Sequence, residues 1–145
     1  MKKTLILIFT FISFAVFSQS RIISNLNTSN GEYQLYISHE SFQMLSNGKM
    51  KEPERFVINN QNTIHEIIKK WKGKKVNYNL KCDYDYSIFI TQNNKIIERI
   101  DYNSECNFAH SKSGNFEVKI NPFTKLETSN TFEITEIEKM IGNEK

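Results

Sequence analysis

The chain has 145 residues, with 19 basic and 16 acidic side chains, two cysteines and two prolines. This length suits one folded domain whose hydrophobic core needs no metal to hold it. The small net charge argues against a general nucleic-acid or membrane-surface binder, because such proteins carry a marked excess of basic residues.

The N-terminal segment, residues 1–18, has the form of a secretory signal peptide. Lys2 and Lys3 precede an apolar stretch that runs to Phe17. That stretch is shorter than the roughly 20 residues that a membrane span needs, so we expect cleavage near Ser18-Gln19 rather than a retained anchor. Cleavage would leave 17 basic and 16 acidic side chains, with no stable membrane span. The expected location is the periplasm or the exterior.

The mature chain begins with a polar segment, residues 19–32, which is rich in Ser and Asn and is interpreted as an arm leading into the fold. Alternation of apolar and polar residues then predicts a strand from Tyr33. Asn47-Gly48 is a strong turn signal, and Pro53 removes a backbone donor. Residues 39–53 are therefore expected to form either a projecting hairpin or a mobile flap.

The strongest helix signal covers residues 62–73. Its apolar side chains recur at the spacing of one helix face, and Gly73 is placed to end it. The residues of this face are Ile64, Ile67, Ile68 and Trp71.

A long period-two pattern follows. From residue 76 to residue 91, every even position is apolar, aromatic or Cys. These residues are Val76, Tyr78, Leu80, Cys82, Tyr84, Tyr86, Ile88 and Ile90. This pattern predicts a half-buried antiparallel strand, long enough to bend or to be interrupted. Further strands are expected at residues 96–108 and 116–120, and the last 15 residues are interpreted as a helix.

The two cysteines are interpreted as a disulfide across a hairpin. One face of the hairpin is buried only if facing residue numbers sum to an even number. A sum of 188 pairs Ile88 with Ile100 and Cys82 with Cys106, and requires an odd-numbered loop centred on Asn94. Opposed cysteines in an oxidising compartment form disulfides, whereas two cysteines without a CxxC motif supply too few ligands for a metal.

No nucleotide-binding, triad or metal motif is present, so neither cofactor nor metal is predicted. A basic cluster is a candidate anion contact, although the favoured explanation is that these lysines complement the C-terminus of the helix. Its members are Lys69, Lys70, Lys72, Lys74 and Lys75.

The predicted register also defines a candidate partner surface on the outward face of the hairpin. Phe89, Thr91, Ile97 and Arg99 cluster there. Either the C-terminal helix covers these residues, or they contact a partner protein.

Together these patterns predict one small α+β domain, residues 33–145, with a mostly antiparallel sheet of about five strands and two helices packed on it. The favoured function is an exported, non-catalytic binding module, such as an inhibitor-like or immunity-like partner of another envelope or secreted protein. One alternative is a small hydrolase that uses His39 or His110 with Asp83 or Asp85. The other alternative is a cell-surface structural component.

The signal-peptide interpretation predicts that the exported protein begins at Gln19. The intact mass of protein recovered from the periplasm or medium should correspond to residues 19–145, because signal peptidase removes the preceding segment. Recovery of the full-length mass from that fraction would contradict cleavage.

Overall fold

A single antiparallel sheet is the frame of the fold in this computed structural model. The structure describes residues 19–23, 26, 31–40, 45–49, 52–119, 123 and 137–140. The strands are β1 Ser20–Arg21, β2 Tyr33–His39, β3 Glu54–Ile58, β4 Lys72–Val76, β5 Tyr86–Gln92, β6 Lys95–Asn103, β7 Phe108–Ser111 and β8 Gly114–Val118, and the helix α1 spans Gln61–Lys70. Their order in the sheet is β1-β4-β8-β7-β6-β5-β2-β3.

The predicted α+β class with an antiparallel sheet is confirmed, but the prediction of about five strands is wrong, since the sheet has eight. Two of the additional strands, β1 and β7, have only two and four residues. Segments this short show too few alternations to be recognised. The predicted signal peptide, most of residues 41–51 and most of the predicted C-terminal helix lie outside the described residues.

Helix α1 begins at Gln61, one residue before the predicted range. The Asn60 side chain accepts a hydrogen bond from the Thr63 backbone N–H at 3.0 Å, which makes Asn60 the N-cap. The helix ends at Lys70, before Gly73. Gly73 belongs to β4, where an added Cβ would lie 2.8 Å from the Glu117 carbonyl oxygen. Its role is therefore close packing in the sheet, not helix termination.

The hairpin of β5 and β6 has the predicted register over its first half, with Tyr86 opposite Tyr102 and Ile88 opposite Ile100. The pairing then shifts between Ile90 and Thr91, so that β6 contains one extra residue, which is a β-bulge.

The turn of this hairpin consists of Asn93 and Asn94, which have φ of 52° and 59°. Two consecutive positive φ angles are characteristic of the two-residue type I′ turn. The prediction of a loop with an odd number of residues is wrong, because the loop has two residues and the extra residue, Ile97, lies in the bulge. The bulge also moves Ile97 to the opposite face of the sheet.

The two faces of the sheet are covered differently. Face A, the face that carries Ile37, Ile88 and Ile100, packs against α1 and forms the main core. Face B carries Phe89 and Tyr36, which pack against Ile137 in a smaller cluster. Residues 137–140 are helical, so a second short helix covers this part of face B.

Four aromatic rings form the part of the core next to the end of α1. Trp71 lies edge-on to Tyr102 at 5.7 Å and to Phe123 at 5.1 Å, and Tyr86 stacks on Phe123 at 5.8 Å between ring centroids. The Tyr102 hydroxyl and Trp71 Nε1 have no hydrogen-bond partner among the described residues. Burial raises the pKa of Tyr102 to about 12, with smaller contributions from Asp85 and Tyr86.

This burial makes the fold sensitive to alkali. Above pH 10 the unfolded state loses the Tyr102 proton while the folded state retains it, so the free energy of unfolding should fall as the pH rises towards about 12. Tyr102→Phe should lose less stability than the wild type between pH 8 and pH 11 (roughly the window set by linkage). Urea unfolding of both proteins at the two pH values measures the difference. Equal losses would contradict this role of Tyr102.

Candidate binding site

A nine-residue connection, residues 77–85, crosses the sheet between β4 and β5. These strands run in the same direction and are separated by β8, β7 and β6. The Tyr78 ring stacks on Phe108 at 6.3 Å, and its hydroxyl donates a hydrogen bond to Glu117. Phe108 and Glu117 face each other on face B, so residues 77–85, hereafter the crossing loop, lie over that face.

The disulfide between Cys82 and Cys106 is confirmed, with the two Cα atoms 6.6 Å apart. Its setting differs from the expected one, since Cys82 lies in the crossing loop and Cys106 in the turn between β6 and β7. The bridge therefore attaches the crossing loop to the turn at one end of β6 and β7, instead of joining two paired strands.

Hydrogen bonds attach the crossing loop at three further points. The Asn115 side-chain amide donates to the Tyr78 carbonyl at 2.8 Å, and that of Asn103 donates to the Asp83 carbonyl. The Asp85 carboxylate accepts from the Ser104 backbone N–H at 2.8 Å and from its hydroxyl. A loop with this many attachments has little conformational freedom left to lose on binding.

The crossing loop nevertheless exposes two large apolar side chains. Tyr78 is 43% exposed and Leu80 is 37% exposed. Leu45, in the turn between β2 and β3, is the third exposed large hydrophobic residue of the described chain, at 44%. The hydrogen bond to Glu117 is the main cause that raises the pKa of Tyr78 above its ordinary value.

A row of polar side chains lies on face B beside the crossing loop. Ser87, Asp101, His110 and Asn115 are neighbours across β5, β6, β7 and β8. One oxygen of Asp101 accepts hydrogen bonds from Ser87 at 3.2 Å and from two nitrogens of Arg99 at 3.2 and 3.1 Å. His110 Nδ1 lies 2.6 Å from the Asn115 side-chain oxygen.

Tyr84, near the other end of the crossing loop, lies close enough to the same polar row for Asp101 to affect its pKa. Burial raises its pKa, and the nearby Asp101 carboxylate raises it further. Both ends of the loop therefore border the polar row, with Tyr78 over β7 and β8 and Tyr84 close to Asp101.

The structure does not assemble the predicted partner surface as one exposed patch. Phe89 is 8% exposed and packs in the cluster with Ile137. Thr91 is fully buried, and Ile97 packs against the main core on face A. Arg99 remains exposed, with its guanidinium 5.6 Å from the centre of the Phe89 ring. The bulge separates Ile97 from the other three residues.

The lysine cluster is also divided. Lys69 and Lys70 end α1, and Lys70 pairs with Glu66 on the same helix. In β4, Lys75 lies opposite Phe116 on face A. Lys72 and Lys74 lie on face B, where they line a groove of about 320 Å³ together with Gln19, Gly73, Glu117 and Lys119.

Three of the four residues of the hydrolase alternative, both histidines and Asp85, have side-chain contacts with different residues. His39 stacks on Tyr86 at 4.3 Å between centroids and lies 3.9 Å from Glu54. His110 contacts Asn115, and Asp85 binds Ser104. Within the described part of the chain, no group of three or more His, Cys, Asp or Glu side chains could hold a metal ion.

Tyr78 and Leu80 are the site residues that the sequence pattern misassigned, because it placed them on the buried face of a long strand. Asn77 and Asn79 flank them, and Asn is depleted in strands. That depletion was the signal for a loop.

Comparison with protein-family models, with curated proteins and with solved structures finds no match to this chain. Among the described residues, every helix is too short or too polar to cross a membrane.

The disulfide should stabilise both the fold and the crossing loop. Replacing both cysteines by Ser should cost up to about 3.5 kcal/mol, the value expected for closing a loop of this length. Amide hydrogen exchange should rise most in residues 77–85 and 104–107, because the bridge joins these two segments. Unchanged exchange in the crossing loop would show that the hydrogen bonds alone hold it.

Proposed function

We propose that this chain is an exported, non-catalytic binding module that recognises another exported or envelope protein through its crossing loop. One observation carries the proposal. The loop is held by a disulfide and by hydrogen bonds along its length, yet it exposes Tyr78 and Leu80 to solvent.

Exposure of these side chains is unfavourable for the free protein, because apolar surface in water costs about 25 cal/mol per Å². Burial of Tyr78 and Leu80 against a partner would recover that free energy. The loop would lose little entropy on binding, since its attachments already hold it in one conformation. Tyrosine is also enriched among the residues that dominate interface energetics.

Export is supported by two independent features. The first is the N-terminal segment with its basic start and apolar stretch. The second is the Cys82–Cys106 disulfide, since such bonds persist in oxidising compartments and are rare in the cytosol.

The absence of catalysis is supported by how the polar groups of face B are used. Asp101 accepts hydrogen bonds from Ser87 and Arg99, and Asp85 accepts from Ser104. The Ser87 hydroxyl donates to Asp101, and the contact given for His110 is with Asn115, so these groups do not form a Ser–His pair of the kind that activates a nucleophile. The row is better suited to hold the sheet surface in a defined shape for a partner.

The proposal predicts that Leu80 contributes to binding and that Leu45 does not. The immobilised full chain should retain a partner from an envelope extract of its own cells, and Leu80→Asp should weaken retention about tenfold or more, since a buried charge is costly at an interface. Leu45→Asp is the matched control, because it places the same charge at a comparably exposed leucine outside the crossing loop.

Circular dichroism should show that both variants are folded. Equal retention of the same protein by the wild type and Leu80→Asp would contradict the proposal, and so would equal losses in both variants.

A further inference from the structure

Basic side chains are concentrated at one corner of face B, where β1, β4 and β8 meet. Arg21, Lys72 and Lys119 are all exposed there. Lys74 lies 3.8 Å from Glu117, so this fourth cation has an acidic neighbour. Within the described residues, no acidic side chain forms an ion pair with Arg21, Lys72 or Lys119.

Two of these cations face each other directly. Arg21 of β1 is the cross-strand neighbour of Lys72 of β4. Like charges directly opposite each other on a sheet are destabilising. An anion bound between them would remove this repulsion, so the arrangement favours an acidic ligand.

The shape of the corner suits an extended ligand. The groove of about 320 Å³ is lined by both Lys72 and Lys119, and Gln19 lies beside them. Glu117 also lines the groove, and its carboxylate accepts a hydrogen bond from Tyr78 of the crossing loop. The groove and the crossing loop therefore form one continuous surface.

We infer that the partner presents an extended protein segment whose acidic side chains bind at Arg21, Lys72 and Lys119 and whose apolar side chains contact Tyr78 and Leu80. This inference rests on the proposed function and specifies the chemistry of the partner. The segment's carboxylates would be spaced along its length, with room between them for Glu117.

A protein segment fits this surface better than a nucleic acid or a lipid surface does. A continuous line of phosphates would be placed against Glu117, which lies in the same groove as the lysines. The whole chain has a formal charge of only +3, so no broad positive field attracts polyanions. The adjacent apolar pair, Tyr78 and Leu80, also has no counterpart in a phosphate backbone.

The test uses the full chain, expressed with its own N-terminus, to select binders from a random library of short peptides. Selected peptides should carry Asp or Glu beside an apolar residue. The double variant Lys72→Glu/Lys119→Glu should bind those peptides about tenfold more weakly, chiefly through a slower association rate at low salt. The matched control, Lys69→Glu/Lys95→Glu, makes the same charge change outside the groove and should bind as the wild type does.

The outcomes separate this inference from the function on which it rests. Peptides that require Leu80 but show no acidic preference would overturn the acidic-segment inference and leave the binding function intact. Failure to select any peptide whose binding requires Leu80 would count against both. Binding of anionic-lipid vesicles or of a single-stranded DNA oligomer that requires Lys72 and Lys119, without acidic peptides, would overturn the inference in favour of those ligands.

Discussion

The connection between β4 and β5 constrains the rest of this structure. Four strand spacings separate the two strands, about 19 Å across the sheet. The connection must also descend the length of the sheet, because both strands run in the same direction. Nine residues reach at most about 30 Å when extended. The crossing loop must therefore stay nearly extended and close to face B.

This constraint explains why the two faces of the sheet differ. Helix α1 connects β3 to β4 and covers face A, where the main core lies. On face B, the crossing loop covers Phe108, and residues 137–140 cover Phe89. The polar row that contains Asp101 and His110 lies on the same face, beside the crossing loop. The disulfide fastens the loop to the β6–β7 turn, so its exposed side chains have fixed positions.

The sequence pattern predicted the antiparallel hairpin and its register near Ile88, because both follow from burial of one face of a strand. It predicted the cysteine pair as well, but on paired strands, whereas Cys82 lies in the crossing loop. It failed at residues 77–85 for a related reason. An extended chain points successive side chains in opposite directions whether or not it pairs with a neighbouring strand. The crossing loop is extended, so its alternation resembles that of a strand. The bulge at Ile97 was equally hidden in the sequence. Ile96 and Ile97 are both apolar, so the pattern does not tell which of them faces the main core.

The sequence by itself determined the apolar stripe of α1 and the facing of Ile88 and Ile100, since local periodicity and burial decide these features. It also determined the pairing of Cys82 with Cys106, because the chain has only two cysteines. Only the tertiary structure decided that Tyr78 and Leu80 face solvent and that Arg21 lies opposite Lys72. Both depend on the order of strands in the sheet. That order comes from contacts between residues far apart in the chain, which no local pattern encodes.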